Sequence, residues 1–93
     1  MHPATIAKQR SVGPGSPFAI ALGSAIRARR LELGLSQREA AGPLSKTFLS
    51  LVERGLMTPS LGSFTLVAGN LGIAPPELLA RALAGIEYTQ RDA

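Results

Sequence analysis

Residues 35–55 read LSQREAAGPLSKTFLSLVERG and contain two helix starts separated by one enforced break. Ser36 and Glu39 form a capping box, in which the serine hydroxyl accepts from the N–H of Glu39 and the glutamate reaches back to the N–H of Ser36. Gly42 and Pro43 end that helix after about six residues, because a proline ring collides with the carbonyl four positions back. Ser45 caps a second start, and Gly55 ends it. At about 100° per residue, Phe48, Leu49 and Val52 share one side of this helix, while Thr47, Ser50, Leu51 and Arg54 share the other. One side is core and the other is left for a partner.

The same punctuation continues on both flanks. Upstream, Ser16 as N-cap, Pro17 in the first helical position and Gly34 as stop bound a helix over about 17–33. Its expected buried stripe is Phe18, Leu22, Ile26 and Leu33, with Arg27 and Arg30 towards the flanks. Downstream of the Thr58–Pro59–Ser60 turn, Leu61, Phe64, Val67 and Leu71 recur at helical spacing until Gly72. Gly62 and Gly69 weaken that helix by roughly 1 kcal/mol each, so packing must hold it. Pro75 starts a fifth helix with Leu78, Leu79 and Leu83 as expected core contacts. Aromatic residues are scarce and β-branched residues do not cluster, which argues against a sheet. The expected fold is all-α: a compact five-helix domain over residues 17–84, with a flexible N-terminal arm (1–16) and a short C-terminal tail (85–93).

Composition narrows the function. The chain of 93 residues has room for one domain, and it has no cysteine for a disulfide or a thiolate metal site. Its single histidine, His2, sits at the end of the arm, where no ligand set can be assembled around it. The net charge is +4, and it is uneven. Residues 1–35 hold Lys8, Arg10, Arg27, Arg29 and Arg30 against Glu32 alone. Such asymmetry suits a polyanion partner. Apolar runs fall short of the ~20 residues of a membrane span, and the N-terminus lacks a signal-peptide pattern, so a cytoplasmic protein is expected. No nucleophile–base pair, paired carboxylates or metal-ligand spacing is present, and Gly13–Gly15 lacks the lysine of a phosphate loop. Neither an enzyme nor a cofactor is expected.

The run IRARRLELGLSQREA, followed by LSKTFLSLVERG, TPSL and LVAGNLGI, resembles the phage-repressor (Cro-like, XRE) helix-turn-helix family over residues 22–80. The resemblance implies a sequence-specific DNA-binding transcriptional regulator, a repressor acting as a homodimer on a palindromic double-stranded operator. It places a recognition helix at about 45–54 in the major groove. Gln37 matches a phosphate-contacting position, at a helix N-terminus that already favours anions. Lys46, Thr47 and Leu51 match base-reading positions flanked by Ser45 and Ser50, and Arg54 matches a backbone-contacting position. Arg30 and Glu53 match an internal ion pair that ties the first helix to the third.

Three features depart from the family pattern. The stretch between Glu39 and Ser45 is two residues short, which leaves Leu44 to fill the core position of the turn and puts the angle between the helices in question. Leu51 is apolar where the family is usually polar. Leu56 and Met57 make the following loop apolar as well. Exposed together, these three side chains suit an alternative reading, a protein-interaction module on the same fold. For the arm, the preferred reading is a solvated tail, and the alternative has Lys8 and Arg10 entering a minor groove. Dimerisation is assigned to the fifth helix and the tail around Ile86 and Tyr88.

Overall fold

Residues 12–86 are described in a computed structural model. His2, Lys8, Arg10 and Tyr88 lie outside them. Among the described residues there are five helices and no strand: α1 (Pro17–Glu32), α2 (Gln37–Ala41), α3 (Lys46–Glu53), α4 (Leu61–Asn70) and α5 (Pro75–Ala84).

Local chemistry sets most of the boundaries. Ser16, Ser36, Ser45 and Ser60 each stand before a helix in extended backbone, and each hydroxyl accepts from the amide three residues on. The capping box of α2 is complete, with the Ser36 amide donating to Glu39 Oε1 at 2.8 Å. At the end of α3 the amide of Gly55 donates to the Val52 carbonyl and that of Leu56 to the Leu51 carbonyl. This closure needs a left-handed residue, and Gly55 provides it at φ +74°.

The helices enclose one core of Leu22, Ile26, Leu49, Val52, Val67, Leu71 and Leu78, completed by Phe64, Ile73 and several alanines. Phe18, Leu44 and Phe48 are partly buried against it, so Leu44 does fill the turn. Four expected core leucines lie outside: Leu33 is at the C-cap of α1, Leu61 begins α4, and Leu79 and Leu83 flank the buried Leu78–Ala82 edge of α5. Residues separated by one position on a helix diverge by about 100°, so Leu79 cannot share the direction of Leu78.

α2 has five residues. Its curtailed end leaves carbonyls without helical partners, and Asn70 of α4 donates from Nδ2 to the Ala40 carbonyl at 2.9 Å. Residues 12–16, expected to be part of the flexible arm, are tied to the segment after α3. The Gly15 amide donates to the Gly55 carbonyl and the Thr58 hydroxyl to the Val12 carbonyl, both at 2.7 Å.

α1 and α3 approach so closely that a Cβ at Gly23 would lie 2.6 Å from the Glu53 carbonyl oxygen and nearer still to that of Val52. Gly23→Ala is therefore expected to destabilise by about 1–3 kcal/mol through overpacking against backbone. Gly69→Ala, with nothing within 4 Å of the added carbon, is expected to stabilise by about 0.4–1 kcal/mol. Thermal melting of both variants checks this; a Gly23→Ala protein as stable as the parent removes the close-approach argument.

Candidate nucleic-acid interface

α3 is mounted on α1 by its inner side. Leu49 and Val52 are fully buried, Gly23 lets the backbones meet, and Gly55 packs against Ile20. What remains outward is polar and basic. Ser45, Lys46, Thr47 and Arg54 are exposed, and Ser50 and Leu51 are half-buried. The Ser45 hydroxyl is occupied by the Phe48 amide at 2.9 Å, so its role is first that of a cap. Arg54 makes only a 3.3 Å contact from Nε to the Ser50 carbonyl, which leaves its charge to solvent. Arg27 is exposed on α1.

Beneath this surface lies the buried pair of Arg30 and Glu53, each 8% exposed. Arg30 grips the carboxylate twice, Nε to Oε2 at 2.6 Å and NH2 to Oε1 at 2.9 Å. Its remaining nitrogen, NH1, donates to the Leu35 carbonyl at 3.0 Å, just before α2 begins. The hydrogen bond to Glu53 raises the guanidinium pKa above its ordinary value, against the opposing effect of burial. A raised arginine pKa contributes stability that is lost only as pH climbs through the arginine range, so the cation persists at any physiological pH. At the mouth of α2, bonds from the Ser36 amide and hydroxyl lower the pKa of Glu39. That stabilisation is present above the ordinary carboxylate range and fades as pH falls through it.

Gln37, a candidate phosphate-contacting residue, also joins the buried pair. It is half-buried, and its Nε2 donates to Glu53 Oε1 at 3.1 Å. The sequence shows no trace of this bond, because the partners are sixteen positions apart on different helices. The role of Arg29 is likewise invisible in the sequence. It donates from Nε to the Leu71 carbonyl at 2.9 Å and from NH2 to that of Gly72 at 3.3 Å, capping α4 from α1. A signal did exist for Gly23: a glycine between Leu22 and Ile26 on a helix often marks close backbone approach. The apolar loop divides, with Met57 packed on the core and Leu56 at 52% exposure.

No protein-family model matches the chain, and no curated protein matches it by sequence. Solved structures do match it. The clp gene regulator ClgR of Corynebacterium glutamicum is 30% identical, with 75% of this chain and 92% of that one covered and a TM-score of 0.71. The restriction-modification controller protein C.AhdI of Aeromonas hydrophila is 32% identical, covering 64% of this chain and 94% of that one with a TM-score of 0.62. A hypothetical transcription factor of Neisseria, NHTF, is 33% identical over 67% of this chain and 74% of that one, with a TM-score of 0.63.

The two arginines have separable tasks. Arg30→Ala leaves Glu53 charged and unpaired in the core and is expected to cost about 3–5 kcal/mol, a fall in Tm of more than about 10 °C. Arg54→Ala, at an exposed position, is expected to change stability by less than about 0.5 kcal/mol while weakening DNA binding. Melting curves and duplex titrations of the two variants check the assignment, and equal thermal effects contradict it.

Proposed function

Since the chain belongs to the helix-turn-helix transcription regulators of the XRE-like fold, we propose that it is a sequence-specific repressor that inserts α3 into the major groove of a palindromic operator. The observation that carries this reading is the division of α3, whose inner side is locked onto α1 while Lys46, Thr47 and Arg54 stand in solvent. Lys46 suits a guanine O6/N7 edge, Thr47 a base edge or methyl, and Arg54 a phosphate. Gln37 adds a neutral phosphate contact from the start of α2. The work is binding without catalysis, in the cytoplasm, where its DNA would be.

A homodimer fits the same reading, because one domain spans only a half-site. Leu61, Leu79 and Leu83 are exposed on α4 and α5. The first two line an apolar cavity of about 250 Å³ with Phe18 and Phe64. A second copy is the proposed cover for that surface. The exposed Leu56 supports a second reading, a protein-interaction surface on the same fold, although Met57 is drawn away from it into the core.

Titration of labelled duplex DNA tests the proposal. Charged contacts from Arg27, Lys46 and Arg54 are expected to give a log–log salt slope of about −2.7 per copy. Sedimentation of the complex should show two copies per duplex. Absence of binding at low salt would sink the repressor reading.

Half-buried Leu51 offers no hydrogen bond, so its contribution to base reading must be apolar contact, assigned here to a thymine methyl. With an operator recovered by selection from random duplexes, replacing that thymine by uracil is expected to weaken wild-type binding and to leave Leu51→Ala unaffected. An undiminished uracil effect in the variant excludes the methyl contact.

A further inference from the structure

We propose that Glu53 is a positioning residue for DNA binding, which holds the side-chain amide of Gln37 at the interface so that the buried ion pair acts on a phosphate contact as well as on the fold. The inference rests on the DNA-binding reading above. It starts from one atom: Glu53 Oε1 accepts from Arg30 NH2 at 2.9 Å and from Gln37 Nε2 at 3.1 Å. Glu53 belongs to α3, Arg30 to α1 and Gln37 to α2, so three helices meet at this oxygen.

A glutamine amide carries two N–H donors and one acceptor. The bond to Glu53 takes one donor and leaves the second for a phosphate oxygen. A free glutamine must freeze several torsions before it can make such a contact, and a side chain already tethered has met most of that cost. The tether is itself fixed, since the carboxylate is gripped twice by Arg30 and cannot swing. The third Arg30 bond, to the Leu35 carbonyl, holds the backbone two residues before Gln37. Both ends of the Gln37 side chain are thereby referred to the same guanidinium.

The pair is electrically neutral, so replacing it by an apolar pair leaves the net charge of the protein unchanged. Buried ion pairs can often be exchanged in this way without loss of stability. The test compares wild type, Gln37→Met, the double variant Arg30→Met with Glu53→Met, and the triple variant. The probe is a labelled random-sequence duplex of about 24 base pairs at low salt, because phosphate contacts do not depend on sequence. Gln37→Met is expected to weaken binding by about three- to tenfold. The double variant should show a similar loss although neither replaced residue is on the surface, and the triple variant should be no weaker than either. The salt slope should stay the same in all four, since no charged phosphate contact is removed.

Wild-type strength in Gln37→Met or in the folded double variant overturns the inference, as does a triple variant whose losses multiply. The wild-type protein provides a check that does not depend on the folding of any variant. In nitrogen-15 NMR the two side-chain amide protons of Gln37 should differ, one protected from exchange by Glu53 and the other shifting when duplex is added. Equally fast exchange of both protons, with neither shifting when duplex is added, overturns it. Absence of wild-type binding to the duplex removes the regulator reading and this inference together. Normal wild-type binding with multiplying losses removes the inference alone.

Discussion

One guanidinium organises this domain. Arg30 divides its nitrogens between the carboxylate of α3 and the carbonyl that precedes α2, and so sets two helices relative to α1. Moving both charges out of water costs several kcal/mol per ion, and only good geometry with further hydrogen bonds recovers it. Here the grip is bidentate, and Gln37 supplies an additional donor to Glu53. Among the described residues no buried side-chain nitrogen or oxygen lacks a partner. An apolar pair of the same volume would hold the helices together equally well, but contact between methyl groups has no direction. The ion pair accepts one register of α3 on α1, and the face of α3 that remains outward follows from that register.

The local part of this architecture was legible in the sequence. A serine cap requires only the hydroxyl and an amide three residues later, and Ser16, Ser36 and Ser45 announced three helices in that way. Stops at Gly34, Gly55 and Gly72 are equally local, since a positive φ is a property of one residue. The two sides of α3 were also legible: Leu49 and Val52 are buried, Lys46, Thr47 and Arg54 exposed. Rotation of about 100° per residue is enough to separate them once the helix ends are known.

The core was read less well, and the reason is residue size. Leu33, Leu79 and Leu83 are expected in the core because large apolar side chains dominate any periodic pattern, and Leu61 falls on the same helical spacing as the buried Phe64. Beside the buried Leu22, Ile26, Leu49, Leu71 and Leu78, the structure gives many core positions to small residues, with Ala19, Gly23, Ala40, Ala41, Ala68 and Ala82 all buried. Short helices that cross closely need small side chains at the crossing, and Leu33, Leu61, Leu79 and Leu83 are displaced to the rim. A hydrophobic pattern gives the direction of the stripe but not its width, and on α5 the width was overestimated on one flank.

The shortened α2 raised the question of whether α3 could still be presented correctly. Its mount answers this. The inner face of α3 is fixed by Gly23, by Ile20 against Gly55 and by the Arg30 pair, all of which belong to the α1–α3 contact. The end of α2 between Glu39 and Ser45 is therefore held by other contacts than the seat of α3. There Gly42 turns the chain at φ +57°, and Asn70 comes from α4 to bond the Ala40 carbonyl. The positive φ disfavours any side chain at Gly42, and a Cβ there would also lie 2.6 Å from Asn70 Nδ2 and push that side chain aside. Neither partner hints at the other in sequence, because they are thirty positions apart. The five-residue α2 thus stands beside an α3 that keeps Lys46, Thr47 and Arg54 in solvent because it is held from behind.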